Sequence, residues 1–186
     1  MMKSFCLVLL LCITGLVFAD EVPLPGGHAP VFSLPDQSGR VVTLESLRGK
    51  WLVLYFYPKD DTPGCTQEAC SFRDDLAQLT RLGAQIVGVS VDDSASHAEF
   101  AQKYHLPFPL LSDKDGAVAR RYGAYADWKV VRYAKRYTFL IDPQGKIAKT
   151  YLKVDTSRHS AEIIADLREL QSVPTLPSLS PPSGKR

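Results

Sequence analysis

The feature that most constrains this chain is a continuous run of apolar and aromatic side chains, Trp51–Tyr57, that stops at Pro58. A run of this length without alternating polar residues is typical of a strand covered on both faces. A second run of the same kind covers Gln85–Val91. Between the two runs, Thr66–Leu82 repeats apolar side chains at spacings of three and four, which predicts one helix. The sequence therefore predicts a strand, helix, strand unit at the centre of the fold.

The rest of the chain continues this alternation of elements. Helices are predicted over Ser94–Tyr104, with Ser94 as the cap, and over Asp115–Tyr122 and Ser157–Leu170. Tyr137–Ile141 and Lys146–Val154 flank a loop that contains proline and glycine, which predicts a hairpin. We therefore expect an α/β fold with a central sheet and helices on both sides.

The first residues of the chain have the pattern of an export signal. Lys3 precedes an apolar run from Phe5 to Phe18, and the small residue Ala19 follows, which predicts a signal peptide over residues 1–19. An uncleaved membrane anchor is the alternative, but the run falls short of the about 20 apolar residues that a span needs. We expect an exported, bacterial periplasmic protein with no stable membrane association after cleavage.

Both flanks of the predicted core are rich in proline, glycine or serine. Residues 20–30 are expected to form a flexible lead-in and residues 171–186 a flexible tail, which leaves one domain over 31–170. The formal net charge of +2 comes from interspersed residues, with no long basic run, so nucleic acid is not an expected partner.

The number and position of the cysteines limit the kinds of functional site that the chain can form. The chain has four cysteines, and removal of the signal peptide leaves only Cys65 and Cys70. The histidines are scattered without the spacing of a metal site, and Asp60 and Asp61 are interpreted as a solvated pair. No metal or cofactor is therefore expected, and the two remaining cysteines carry the question of function.

Cys65 follows the central strand, at the edge of an α/β sheet where ligands and catalytic groups gather. Thr62 and Pro63 have the character of an N-cap and a first helical residue, so Cys65 is expected in the first helical turn. The free backbone N–H groups and the helix dipole at that position favour a thiolate. Cys65 is thus predicted to be a reactive cysteine.

The spacing of Cys65 and Cys70 argues against a permanent disulfide. Five residues on an ideal helix separate the two Cα atoms by roughly 8.6 Å. A disulfide needs less than about 7 Å. The two cysteines could bond only if the start of the helix unwinds, which favours a redox pair that switches between two states.

The residues Pro58-x-x-x-Thr62-x-x-Cys65 resemble the active-site signature of the peroxiredoxins. The longer stretch from Tyr55 to Arg73 is similar to the subgroup called peroxiredoxin Q or bacterioferritin comigratory protein, and the likeness runs from about Val31 to Leu170. The resemblance implies a thioredoxin-like fold with a mixed sheet. It also implies an atypical two-cysteine, thioredoxin-dependent thiol peroxidase that acts on hydrogen peroxide and organic hydroperoxides.

The resemblance assigns expected roles to individual residues. Cys65 matches the cysteine that attacks the peroxide, and Cys70 matches the cysteine that resolves its sulfenic acid as an intramolecular disulfide, which a thioredoxin-like or other thiol donor then reduces. Thr62 matches a hydroxyl that hydrogen-bonds the thiolate and the peroxide, and Pro58 matches a residue that shields the pocket. Arg136 matches the arginine of the site.

Glu68 fits an acidic position that orients this arginine, although Arg132 and Lys135 are further cations nearby. A monomer is expected. Two other functions stay open at this point: an exported copper-binding protein of thioredoxin fold, and a thiol–disulfide exchange protein. The latter chemistry normally uses Cys-x-x-Cys, which this sequence lacks.

Overall fold

The computed structural model describes residues 21–129 and 131–172, so the predicted signal peptide and residues 173–186 of the predicted tail lie outside the described residues. The strands are β1 (Ser33–Pro35), β2 (Val41–Thr43), β3 (Trp51–Phe56), β4 (Ala84–Ser90), β5 (Leu110–Ser112), β6 (Tyr125–Asp127), β7 (Arg132–Ala134), β8 (Thr138–Ile141) and β9 (Ile147–Tyr151). The helices are α1 (Pro63–Asp74), α2 (Leu76–Arg81), α3 (Ser94–Tyr104), α4 (Ala117–Arg121) and α5 (His159–Ser172).

A five-stranded sheet in the order β5–β4–β3–β8–β9 forms the centre of the molecule. β3 pairs in parallel with β4 and β4 with β5, whereas β8 pairs antiparallel with β3 and with β9. β1–β2 and β6–β7 form two small antiparallel sheets beside it. The predicted α/β class, with a mixed sheet flanked by helices, is confirmed.

Strand β3 lies in the middle of this sheet because both of its faces are apolar. Its side chains alternate between two hydrophobic clusters, one on each side of the sheet. Tyr55 packs on the face that carries Phe72 of α1 and Leu167 of α5. Phe56 packs on the opposite face, against Tyr122 beside α4. Burial on both faces explains why the run has no polar alternation.

The single helix predicted over Thr66–Leu82 is two helices. Asp75 interrupts it, with backbone angles of φ −91° and ψ 2°, between the end of α1 and the start of α2. The Asp75 carboxylate accepts a hydrogen bond of 2.6 Å from the Ser160 hydroxyl of α5. Aspartate is a weak helix former that gains from such side-chain bonds, so the break occurs there.

The other predicted elements are confirmed with small differences at their ends. α3 has the predicted bounds, but its N-cap is Asp93, whose carboxylate accepts the Ser96 N–H at 3.0 Å, and not Ser94. α4 is shorter than predicted, and α5 continues to Ser172, into the predicted tail. The β8–β9 hairpin forms as predicted.

The N-terminal segment differs from the flexible lead-in predicted over residues 20–30. Gly26 N–H donates to the Ile147 carbonyl at 2.7 Å, and Ile147 N–H donates to the Gly27 carbonyl at 2.8 Å. Ala29 is buried and its N–H donates to the Gly145 carbonyl. Part of the lead-in is therefore bound along the outer side of β9, because its backbone groups find partners there.

The chain that follows this segment reaches the opposite edge of the sheet. The Gln37 amide donates to the Phe108 carbonyl at 3.1 Å and accepts from Leu110 N–H at 2.9 Å, beside β5. Asp36 forms an antiparallel bridge with Leu111. Residues 26–37 thus contact both outer strands, β9 and β5. Among the described residues, no helix is both long and apolar enough to cross a membrane.

Candidate active site

The loop after β3 delivers Cys65 to the start of a helix. Thr62 is the N-cap of α1, with φ −90° and ψ 150°, and Pro63 is its first residue. Cys65 follows within the first turn and is only 1% exposed. This confirms the predicted placement of Cys65 where the helix has unpaired N–H groups and the positive end of its dipole.

Arg136 is the cation that contacts the thiol. Its Nη2 atom lies 3.3 Å from Cys65 Sγ, and its Nη1 atom lies 2.5 Å from Glu68 Oε2. Of the two neighbouring cations, Arg132 lies 3.6 Å from Asp127, and Lys135 Nζ donates to the Gly123 carbonyl. The structure thus brings Cys65, Glu68 and Arg136 together, with a planar guanidinium between sulfur and carboxylate.

Glu68 is fully buried behind this guanidinium. Burial raises the pKa of Glu68 to about 7, although Arg136 opposes the shift. Its Oε1 atom has no hydrogen-bond partner and lies 3.9 Å from His159 Nε2. A carboxyl group that is partly protonated near neutral pH leaves more of the Arg136 charge available to the sulfur.

His159 lies deeper in the same region, at the start of α5. Its Nε2 atom pairs with the Thr138 hydroxyl at 2.9 Å, and its side chain is 1% exposed. Burial lowers the pKa of His159 to about 4, with a further lowering from Arg136. The imidazole is therefore neutral at physiological pH and adds no second positive charge beside Arg136.

Among the described residues, Cys65 Sγ is hydrogen-bonded to Arg136 and to neither Thr62 nor Pro58. The Thr62 hydroxyl donates to the Lys59 carbonyl at 3.1 Å. Pro58 lines an open groove of about 390 Å³ together with Val131 and Tyr133. The hydroxyl contact to the thiolate that the resemblance implies is thus not among the bonds of this structure.

Cys70 lies further along α1, partly exposed, and both cysteines are free thiols. α1 is continuous through both positions. Because an intact helix holds residues i and i+5 too far apart for a disulfide, the two sulfurs can bond only after part of α1 unwinds.

One polar cluster in the loop before α1 was missed by the sequence analysis. Asp60, interpreted as solvated, is buried and accepts hydrogen bonds from Tyr57 Oη, Ser96 Oγ and His97 Nδ1 at 2.7 to 2.8 Å. Asp61 is exposed, as expected, and pairs with Lys103. The sequence carries one signal for this cluster. His97 lies on the apolar face of α3, and a buried histidine needs a polar partner.

Within 21–129 and 131–172, no group of three or more histidine, cysteine, aspartate or glutamate side chains is arranged to hold a metal ion. The geometry is that of a thiol site built from one sulfur, one guanidinium and one buried carboxyl group.

Comparison with known proteins identifies the family of this site. The model of the AhpC/TSA family matches residues 25–150, more than half of the chain. The chain belongs to the AhpC/TSA family. Cys65 and Arg136 both lie within the matched residues.

Individual relatives place this AhpC/TSA protein among the Bcp and peroxiredoxin Q proteins. It is 47% identical over 148 residues to a putative peroxiredoxin bcp from Coxiella burnetii, an alignment covering 76% of this chain and 97% of that protein. The resemblance found in the sequence is thereby confirmed, and the protein is a member of a thiol peroxidase family.

Solved structures of the same group share the fold. Peroxidoxin BcpB from Mycobacterium tuberculosis superposes with a TM-score of 0.76 at 35% identity, covering 81% of this chain and 99% of that one. Xanthomonas campestris peroxiredoxin Q gives a TM-score of 0.71 at 36% identity, covering 80% of this chain and 96% of that one. The predicted thioredoxin-like fold is confirmed for this AhpC/TSA member.

Proposed function

We propose that this peroxiredoxin reduces hydrogen peroxide and organic hydroperoxides with Cys65 as the attacking thiolate. The observation that carries the proposal is the Arg136 guanidinium 3.3 Å from Cys65 Sγ, at the N-terminus of α1. Donors preorganised at one point stabilise both the thiolate and the negative charge that develops on the leaving oxygen. The Thr62 hydroxyl and the shielding by Pro58 complete the proposed site.

In the first step, the Cys65 thiolate attacks the terminal oxygen of the hydroperoxide. An S–O bond forms while the O–O bond breaks, so sulfur is oxidised to a sulfenic acid by two electrons and the peroxide is reduced. The leaving oxygen takes a proton from solvent and departs as water or as an alcohol. Glu68 supports this step by holding Arg136 through its second nitrogen.

In the second step, Cys70 resolves the sulfenic acid. The first turns of α1 unwind, the Cys70 sulfur attacks the Cys65 sulfur, and an S–S bond replaces the S–O bond with release of water. Cys70 is partly exposed in the folded helix, and once the disulfide has formed an external thiol can attack it.

In the third step, two thiols of an external donor reduce the disulfide and are themselves oxidised to a disulfide. A thioredoxin-like protein or another thiol donor would serve. Because the disulfide is internal to one chain, the proposal requires only a monomer. Oxidised protein should therefore migrate as a single chain under non-reducing denaturing conditions.

Export of the protein is part of the same proposal. Residues 1–19 have the pattern of a signal peptide cleaved after Ala19. We propose that the cleaved protein acts in an oxidising, periplasmic compartment. Sequencing the N-terminus of the protein isolated from its native cells tests this, because an intact Lys3 at that terminus would contradict cleavage.

Addition of one equivalent of hydrogen peroxide to the reduced protein tests the chemistry. We expect rapid loss of both thiols and a Cys65–Cys70 disulfide in the peptide map. Cys65→Ser should abolish the reaction, and Cys70→Ser should leave a sulfenic acid that dimedone traps. Slow thiol loss in the wild type, or unchanged loss in Cys65→Ser, would contradict the proposed function.

A further inference from the structure

We propose that Asp60 and His97 form a buried clamp that holds the loop before Cys65 against α3, and that His97 is a positioning residue for the peroxide reaction. The inference rests on the proposed function and extends it to residues that contact neither Cys65 nor Arg136. Its basis is the set of hydrogen bonds that converge on the Asp60 carboxylate.

The Asp60 side chain is the centre of the clamp. Oδ1 accepts from Tyr57 Oη at 2.7 Å, while Oδ2 accepts from Ser96 Oγ at 2.7 Å and from His97 Nδ1 at 2.8 Å. Asp60 is 7% exposed and His97 is fully buried. Two donors come from the first turn of α3, so a buried carboxylate ties the loop to that helix.

Further hydrogen bonds attach this loop to the end of β4 and to α3. Asp60 N–H donates to Asp92 Oδ2 at 2.9 Å, and the same oxygen accepts from Ser90 Oγ at the end of β4. The next residue, Asp61, has a left-handed backbone with φ 55° and accepts hydrogen bonds from the Lys103 and Tyr104 side chains. The loop is thus bound to both ends of α3.

The environment of His97 fixes where its proton lies. Nε2 is buried without a partner, whereas Nδ1 faces the Asp60 carboxylate. A buried N–H without an acceptor is costly, so the ring N–H lies on Nδ1 and donates to Asp60. This hydrogen bond to a charged group is stronger than one between neutral groups.

The clamp ends directly before the residues that start α1. Thr62 and Pro63 follow Asp61, and Cys65 comes after them in the first turn. The position of Asp60 therefore sets where α1 begins and how Cys65 Sγ meets Arg136. Small displacements of a reacting group cost large factors in rate.

Two substitutions of His97 separate hydrogen bonding from packing. His97→Asn keeps an N–H donor near the Nδ1 position but leaves a cavity, whereas His97→Phe fills the space and removes the donor. We expect His97→Phe to slow peroxide oxidation of Cys65 about tenfold, the factor that loss of one charge-assisted hydrogen bond implies. His97→Asn should stay within about threefold of wild type. Both variants should lose thermal stability, His97→Asn through its cavity and His97→Phe through the unsatisfied Asp60 oxygen.

The measurements are stopped-flow oxidation in a Cys70→Ser background, thermal unfolding, and amide hydrogen exchange of the loop peptide. A slower reaction together with faster loop exchange in His97→Phe than in His97→Asn supports the clamp. If His97→Phe reacts as fast as His97→Asn or faster, His97 is only a packing residue and the inference is overturned.

Amide hydrogen exchange tests the clamp independently of the proposed function. Loop amides should exchange faster in His97→Phe than in His97→Asn whether or not Cys65 reacts with peroxide. If the unmodified protein fails to react with peroxide, the proposed function is wrong and the exchange ranking still decides the clamp. Equal exchange in the two variants contradicts the clamp.

Discussion

The guanidinium of Arg136 contacts two acceptors at once, Cys65 Sγ and Glu68 Oε2, through different nitrogens. A rigid fork of this kind holds the sulfur and the carboxyl at a fixed distance from each other. Lysine carries the same charge as a single flexible point and cannot reproduce the two contacts. The shape of the side chain at this position therefore matters as much as its charge.

Arg136→Lys should slow the reaction of Cys65 with hydrogen peroxide by about 100-fold, the range seen when one preorganised donor is lost from an oxyanion site. The rate constant is measured by single-turnover oxidation. Arg132→Lys is the matched control, since Arg132 is exposed and pairs with Asp127. A rate within about twofold of wild type in Arg136→Lys would contradict the bridging role, because such a change is below the effect of one hydrogen bond.

A second prediction for a single residue concerns the protonation of His159. Its pKa is lowered from 6.5 to about 4 by burial, so between these values the unfolded chain binds a proton that the folded protein does not. The His159 contribution to the free energy of unfolding is therefore present above pH 6.5 and lost as the pH falls toward 4. The full loss is roughly 3 kcal/mol.

This contribution is isolated by comparison with His159→Phe. Glu68 titrates in an overlapping range with the opposite sign, because its raised pKa favours the folded state at low pH, but it is common to both proteins. Urea unfolding at several pH values should show that the stability difference between wild type and His159→Phe shrinks on acidification. His105→Asn, at an exposed helix end, is the matched histidine substitution for comparison. A constant difference from pH 7 to 4 in His159→Phe would refute the assignment.

The residues of the candidate site were predictable from the sequence to different degrees. Thr62, Pro63 and Cys65 follow a local pattern, so their place at the start of a helix was predicted and is confirmed. Arg136 came from the resemblance, and the structure then placed it on the sulfur. The burial of Asp60 depends on Ser96 and His97, far away in sequence, and no local pattern reports such contacts.

Under the proposed mechanism, helix α1 has to be stable enough to present Cys65 and weak enough to unwind. Gly64 lies in its first turn, and a Cβ atom built there would meet Arg136 Nη2 at 3.3 Å. This contact is tighter than nearly all ordinary Cβ contacts, so the guanidinium would have to shift. Glycine at this position therefore permits the close approach of Arg136 and also weakens the helix.

Gly64→Ala should slow both chemical steps. Peroxide oxidation should fall because Arg136 is displaced from the sulfur, and disulfide formation should fall by up to about fivefold because alanine stabilises the helix by about 1 kcal/mol. Ser71→Ala is the control, since it raises helix propensity beyond Cys70 without a contact to Arg136. Stopped-flow measurement of each step checks this, and faster disulfide formation in Gly64→Ala would contradict it.

Element boundaries show where local patterns stop being sufficient. The apolar run of β3 predicted a strand buried on both faces, and it is one. The break at Asp75 was not predicted because the apolar spacing continues through it, while the bond that stabilises it comes from Ser160 in another helix. Tertiary contacts thus decide the ends of elements whose centres the pattern determines.

At the scale of the whole molecule, the segment before β1 is part of the fold. Its backbone makes three hydrogen bonds to the β8–β9 hairpin and its turn, and the Pro30 carbonyl accepts from Tyr122 Oη at 2.7 Å. Proline and glycine content indicated a loose lead-in, but composition does not reveal whether a neighbouring strand offers partners.

Deletion of residues 20–30 from the mature chain should lower the free energy of unfolding by about 4 kcal/mol, at about 1 kcal/mol for each of the four hydrogen bonds lost. The midpoint of urea unfolding measures this. A shorter deletion that ends at Glu21 leaves these bonds in place and should have little effect. An unchanged midpoint in the longer deletion would show that the segment contributes nothing to stability.

The N-terminal segment has a further consequence for a protein proposed to unwind one helix in each cycle. An exposed outer strand is a template on which another chain can add and begin to aggregate. Here residues 26–29 occupy part of the free side of β9, and Asp36 and Gln37 occupy part of that of β5. Unwinding of α1 would therefore expose helical backbone while the two edge strands of the central sheet stay partly covered. This coverage limits the formation of intermolecular β-sheet during repeated oxidation.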